Sequence, residues 1–353
     1  MRTLFSAALV SFLAVAGCGP PATTQPSQGA LALDQVRALA SWKTGTDAGL
    51  VAITSNAAWI PNAGSGTISK VDLRTNRVVA TIPVGNHQAM LSTCAGPDTV
   101  HDVPHGSFLI RRCELPTAVA VGAGSVWVTK NDDNSVLRLD PATGQVQAVI
   151  PSGINLFGLA AGASGAWATD LSGSVVHIDA QSNRVVATLH ISGEPSGLAV
   201  TDDAVWVART LDGRVVRIDP RSNAVTADIP VDLRPLAVNS GLGGVWVRNE
   251  WNEGPGTVSR IDPLTNRVVA TIAVGPNAGR DGLDGIALGD GLVWVSGIYL
   301  EGIDPATNKV VIRRFHQTNA LAFGAGAIWA TDLEGTVSRI EPPARVSGSP
   351  FPW

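Results

Sequence analysis

Seven tryptophans recur in near-identical settings: Trp59, Trp127, Trp167, Trp206, Trp246, Trp294 and Trp329, each in a run like Ala204-Val-Trp-Val-Ala208. Their spacings of 68, 40, 39, 40, 48 and 35 residues cluster near 40 once two insertions are allowed for. A repeat of that length is one supersecondary unit that cannot bury its apolar face alone, so the chain must stack its units or close them into a ring.

Each unit carries further beats. An apolar-acidic pair follows every tryptophan: Val71-Asp72, Leu139-Asp140, Ile178-Asp179, Ile218-Asp219, Ile261-Asp262, Ile303-Asp304 and Ile340-Glu341. Runs such as Arg184-Val-Val-Ala-Thr188 supply a third beat and Gly197-Leu-Ala-Val200 a fourth. Four short valine-rich strands per unit predict an all-β, seven-bladed propeller with four antiparallel strands per blade. The tryptophans are the wedges that pack blades together. The aspartates open turns that recur in blade after blade, as in Asp219-Pro-Arg-Ser-Asn223, where the acid caps the turn and Asn or Gly tolerates a positive φ; they are structural rather than catalytic.

The seventh unit stops near Ile340-Glu341-Pro342-Pro343 without a fourth strand, whereas residues 34–42 carry that strand's pattern. The N-terminal segment is therefore expected to complete the last blade and hide an open sheet edge.

The first residues read as an address. Arg2, the apolar run Leu4–Ala16 and Gly17-Cys18 make a signal peptide, too short to span a bilayer. Val15-Ala16-Gly17-Cys18 is similar to a bacterial lipobox, which implies lipidation at Cys18. The expected divisions are a signal peptide 1–17, a flexible Pro-rich tether 18–30, a propeller 31–345 with an insertion 86–115, and a tail 346–353. Export to an oxidising compartment favours a disulfide between Cys94 and Cys113, which stiffens the insertion by about 3 kcal/mol of loop entropy. The insertion also holds His87, His101, Asp102 and His105. A metal site there needs His101 and His105 on a helix, and Pro104 argues against one.

The repeat from Ser125-Val-Trp-Val-Thr129 through Leu137-Arg-Leu-Asp-Pro141 to Val149-Ile-Pro151 resembles YVTN/NHL-type propellers, including virginiamycin B lyase-like proteins, over residues 34–345. Those lyases open a cyclic depsipeptide by elimination, and the resemblance implies histidine and glutamate side chains with a divalent metal at one end of the ring.

Loops on a rigid scaffold usually carry recognition. In a four-stranded blade the second-to-third loop and the connection to the next blade share one end of the ring, and the long excursions 86–115, 248–256 and 276–285 all fall there. Two positions per blade are expected to line the channel mouth at that end. Three residues after the tryptophans stand Asn62, Lys130, Asp170, Arg209, Asn249, Gly297 and Asp332; before the innermost strands stand Ala48, Thr117, Phe157, Ser196, Arg234, Asp284 and Asn319. None is histidine or glutamate, so no lyase residue carries over. The candidate ligand-binding set is Lys130, Asp170, Arg209, Arg234, Asn249, Asp284 and Asp332, a mixed-charge ring suited to a small polar or zwitterionic ligand.

With 25 basic against 29 acidic residues and no basic cluster, nucleic acid is excluded as a partner. The sequence holds no Ser-His-Asp set, phosphate loop or metal-helix motif. The expected protein is a monomeric, exported, lipid-anchored binding or interaction scaffold for a small polar ligand or a cell-envelope protein, without a cofactor. The alternative is a lyase-like enzyme using a divalent metal on a cyclic or lactone substrate.

Overall fold

A computed structural model describes residues 36–45, 48–85, 116–131, 133–153, 156–170, 172–250, 255–276, 285–318, 320–332 and 334–343, with the backbone of 99–103 and 106–110. Cys18, Cys94, Cys113, Asp284 and Asn319 lie outside these residues.

Seven four-stranded antiparallel sheets follow one another around a ring. The fourth blade is typical: Pro195–Val200 is innermost, then Val205–Arg209, Arg214–Asp219 and the outer Ala224–Pro230. Second strands are buried along their length, as in Gly165–Asp170, except where they finish on the half-buried Lys130 and Arg209, while outer strands such as Arg184–His190 alternate exposed and half-buried residues. That difference follows from position, since a second strand is covered by a blade on each face and an outer strand meets water.

The last blade is Ala320–Gly324, Ala327–Thr331 and Thr336–Ile340, completed by the N-terminal Ala38–Lys43. The closing strand thus begins a few residues later than the pattern suggested, and it runs antiparallel to Thr336–Ile340 with Ala38 beside Ile340 and Lys43 beside Thr336. Within the insertion, Thr99–Val103 and Gly106–Ile110 form a separate two-stranded hairpin. His101 therefore lies on extended chain, not on a helix.

Among the described residues the apolar core divides into seven clusters, each between one blade and the next and each holding one of the seven tryptophans. All seven indoles are essentially inaccessible. Five are covered by a cation from the adjacent strand: Lys70 lies 5.1 Å from the Trp59 ring centre, Arg138 5.3 Å from Trp127, Arg217 5.1 Å from Trp206, Arg260 4.9 Å from Trp246 and Arg339 5.6 Å from Trp329. In the third blade the His177 imidazole takes this place, stacked 4.1 Å from Trp167.

The covering group then reaches the Asp-to-Asn turn of the following blade. Arg217 Nη1 donates to Pro263 O and Asn266 Oδ1 at 2.9 and 3.1 Å, and Arg260 Nη1 to Pro305 O and Asn308 Oδ1 at 2.6 and 2.8 Å. These asparagines have φ between 53° and 56°, the left-handed conformation that lets the side chain turn back over the loop. Where the turn has Gly144 instead, Lys70 Nζ donates to the carbonyls of Pro141 and Ala142. The turn aspartates accept hydrogen bonds from their own loops, as Asp72 does from Thr75 N and Oγ1 at 2.7 Å, which holds the Asp72 carboxyl below its ordinary pKa.

Candidate functional site

The mouth is the end of the ring where second strands finish and innermost strands begin. Two residues past the tryptophan stand Thr129, Thr169, Ser296 and Thr331, all buried. At three of them the hydroxyl seals the blade to its own innermost strand: Thr169 Oγ1 accepts from Gly158 N at 2.9 Å, Thr129 Oγ1 from Ala118 N at 3.0 Å, and Ser296 Oγ from Gly285 N. Blades one and four have Pro61 and Ala208 at this position, and the fifth has Arg248, which is fully inaccessible.

Arg248 and a neighbouring glutamate between them hold both backbone polar groups of one residue, Gly275. Arg248 Nη2 donates to Gly275 O at 3.0 Å, and Glu301 Oε2 accepts from Gly275 N at 2.7 Å. Arg313 Nε donates in turn to Glu301 Oε1 at 2.6 Å. The excursion that begins at Pro276 therefore springs from a buried charged clamp between blades five and six.

One blade back, Glu194, Arg234 and Glu250 are all buried, at 6%, 6% and 2% exposure. Burial pushes the Arg234 guanidinium below its ordinary pKa, opposed by the charges of Glu250 and Glu194; an arginine so far above neutrality stays protonated. Glu194 and Arg234 hold φ at 56° and 51°, and each directly precedes a proline. Left-handed backbone at a non-glycine residue costs roughly 1–3 kcal/mol and gathers at functional sites. Their carbonyls accept from Thr210 N and Glu250 N at 3.1 Å, so the two bends are equivalent features of adjacent blades.

This equivalence corrects the register read from sequence. Pro195 pairs with Arg209 and Pro235 with Asn249, so Glu194, not Ser196, is the counterpart of Arg234. Ser196 is instead inside the innermost strand, fully buried, with Thr210 Oγ1 donating to its hydroxyl at 2.8 Å. A register irregularity between Pro195 and Leu198 displaces the positions that simple counting aligned.

The remaining candidates are placed as follows. Lys130 pairs with Asp133 at 2.5 Å. Burial pushes Asp133 up, but the hydrogen bonds from Lys130 and Ser135 outweigh it and leave the carboxyl below its ordinary value. Asp170 accepts from Ser172 N and Oγ at 2.6 and 2.7 Å. Arg209 is bound to Ser192 O at 2.8 Å, to Asp212 and to Asp228 at 3.1 Å. Asn249 is fully buried and donates to Thr257 and Ser259 within its own blade, as Asn62 does to Thr67 and Ser69. Asp332 accepts from Glu334 N and Thr336 N at 2.9 and 2.7 Å. Arg209 and Arg234 thus stand at the mouth ends of adjacent blades, while Asp170 and Asp332 cap local turns.

Below the mouth the channel is apolar. A cavity of about 190 Å³ is lined by Leu50, Val119, Leu159, Leu198, Val238, Ile286 and Leu321, one from each blade, among other residues. Innermost strands come close here because Gly197 has no side chain: a Cβ at that position would stand 2.0 Å from Leu236 O. The arrangement, charged and polar above and greasy below, suits a small ligand with a charged head and an apolar part.

No protein-family model and no curated protein matches the sequence. Solved structures do match in shape. Virginiamycin B lyase from Staphylococcus aureus superposes with a TM-score of 0.62 at 14% identity, covering 84% of this chain and 96% of that one. A streptogramin B lyase gives 0.62 at 14% identity over 84% and 93%, and U3-55K gives 0.65 at 14% identity over 87% and 98%. The likeness shows the propeller fold. At 14% identity it assigns no chemistry, and the neighbours also include the hydrazine synthase of Kuenenia stuttgartiensis.

The divalent metal implied by the lyase resemblance does not fit the described residues. No three His, Cys, Asp or Glu side chains among them are grouped to share a cation, and both buried mouth glutamates act on the charge of Arg234.

Proposed function

We propose that this chain is an exported, lipid-anchored propeller whose channel mouth binds a small zwitterionic or polar ligand, or the matching group of a cell-envelope protein. The observation that carries the reading is the gathering of irregularities in one sector. The buried Glu194, Arg234, Arg248, Glu250 and Glu301, both strained pre-proline bends and the roots of two rim excursions all belong to blades four to six. Lys130, Asp170, Arg209, Asn249, Asp284 and Asp332 complete the proposed ligand-binding set. Cys18 is the lipidated residue in this reading, and a Cys94–Cys113 disulfide stiffens the insertion at the rim.

The charged groups are held by one another before any ligand arrives. Such a site orients a charged head without reorganisation, and the apolar throat receives the rest of the molecule. The test is a thermal-shift panel of free amino acids and dipeptides on the purified chain. Binding raises the melting temperature with at least one member, and charge reversal at Arg209 removes the rise; a panel without effect refutes the reading.

The lyase reading rests on the likeness to two lyase structures alone. It requires a stoichiometric divalent ion in the purified protein, and that measurement separates the two.

A further inference from the structure

Seven wedges set around an axis leave a hole at the centre whatever their sequence, but the chemistry of its wall is set by the residues. Among the described residues, every side chain that lines the cavity of about 190 Å³ below the mouth is apolar. Each blade contributes an aliphatic residue from its innermost strand or the segment leading into it, and Phe157 precedes that strand in blade three. Leu198, Val238, Ile286 and Leu321 are buried in the core between blades, so only their tips reach the axis.

The wall is held by backbone. Near the mouth, adjacent innermost strands touch directly: a Cβ on Gly158 would stand 2.4 Å from Ser196 O, and one on Gly285 2.4 Å from Leu321 N. A cavity bounded in this way keeps its dimensions when side chains move. Water needs two to four polar partners to settle in such a space, and these side chains offer none. A cavity of about 150 Å³ with similar walls takes up a six-carbon ring, so this one has room for about seven or eight carbons. One aliphatic group per blade gives a round cross-section. An extended alkyl chain on the axis touches the whole circle, whereas a flat ring meets the wall with its edge, leaves its faces bare and forfeits contact.

We infer that the ligand is a medium-chain amphiphile, whose unbranched alkyl chain of about seven carbons sits in this cavity beneath a charged head at the mouth. The head rests on the function proposed above; the chain site rests on the cavity alone. The two fit one molecule. Glu194 and Arg234 directly precede two strands that line the cavity, three residues before Gly197 and two before Leu236. At about 3.3 Å per residue, their backbones lie within roughly 10 Å of its edge.

Normal alcohols carry no charge and probe the cavity without the mouth. In titration calorimetry of the purified chain with 1-butanol to 1-decanol, affinity should rise about fourfold per added methylene, up to about heptanol or octanol, with no further gain beyond. Val119→Leu with Val238→Leu adds two methylenes to the wall and should move this break to chains about two carbons shorter. Leu50→Ala, at a half-buried wall position, should move it to longer chains. Leu264→Ser, at the 91% exposed tip of the fifth blade's turn, should leave it in place. Affinity that climbs through decanol without a break, a break that moves in neither wall variant, or tighter binding of benzyl alcohol than of heptanol overturns the inference. The mouth fails separately: a silent amino-acid panel beside a clear heptanol optimum refutes the head site alone. An effective panel beside alcohols that do not bind refutes the chain site alone.

Discussion

Arg339, in the last blade, donates from Nη1 to Asn76 Oδ1 at 2.7 Å and to Leu73 O at 3.0 Å, joining residues 263 positions apart and closing the ring. A hydrogen bond from the group over each tryptophan to the next blade's turn recurs between successive blades, from Lys70 in blade one, His177 in blade three and arginines elsewhere, with one exception. In blade six the residue paired with Trp294 is Gly302, which has nothing to extend. The next blade has nothing to receive it, because its outer strand comes from the N-terminus and no Asp-to-Asn turn exists there. The missing cation and the missing turn are one feature, set by where the chain begins and ends.

Arg339→Ala removes two hydrogen bonds across the closing junction, a third to Ala325 O within the last blade, and the cover of Trp329. Charge-assisted bonds and a partly desolvated cation–π contact together predict a loss of about 2–3 kcal/mol in denaturant unfolding. Arg339→Lys should recover part of it, since Lys70 does the same work at the Gly144 turn.

The turn asparagines serve backbone and side chain at once. Asn308→Gly keeps the left-handed bend and loses only the acceptor for Arg260, for about 1 kcal/mol; Asn308→Ala loses both and should cost about twice as much. Equal losses in equilibrium unfolding would show that the bend carries no strain.

His177 makes stability fall in mild acid. Burial pushes its pKa below the ordinary 6.5, against the Asn223 hydrogen bond at 2.8 Å and the charge of Asp179. The unfolded chain therefore takes up the proton first as pH drops below about 6.5, and the folded state loses up to about 1.4 kcal/mol per pH unit until its own pKa is reached. His177→Phe keeps a ring on Trp167 and removes the titration, so its stability between pH 7 and 5 should be flatter than that of the parent. Burial lowers His316 in the same direction, which leaves a residual slope in the variant.

Arg234 stands between two buried carboxylates, so Arg234→Met strands them together. Removing one partner of a buried charge group predicts a loss of about 3 kcal/mol at pH 8, partly regained at pH 5 as a carboxyl protonates. Replacing Arg234, Glu194 and Glu250 at once by Met, Gln and Gln should cost less than the single change.

The fold was legible because a ring of equal wedges repeats its chemistry: Trp59 to Trp329 announce the blades, and the pattern at residues 34–42 announces the closure. The mouth was only half legible. Arg209 and Arg234 stand out against the repeat, but Glu194 is hidden by the irregular register between Pro195 and Leu198. Arg248 was visible all along, an arginine where Thr129, Thr169, Ser296 and Thr331 stand in other blades; it is missed when only the third residue past each tryptophan is compared. The cations over the tryptophans carry no sequence signal of their own role, since their partners lie a blade away.

In the proposed function the mouth of blades four to six binds a charged small molecule. Its most direct measurement is the melting temperature of the parent, Arg209→Glu and Lys130→Glu chains, each with and without the amino acid or dipeptide that stabilises the parent most. The account predicts a rise in the parent that disappears in Arg209→Glu and shrinks in Lys130→Glu. A rise of equal size in all three chains would place binding elsewhere and contradict it.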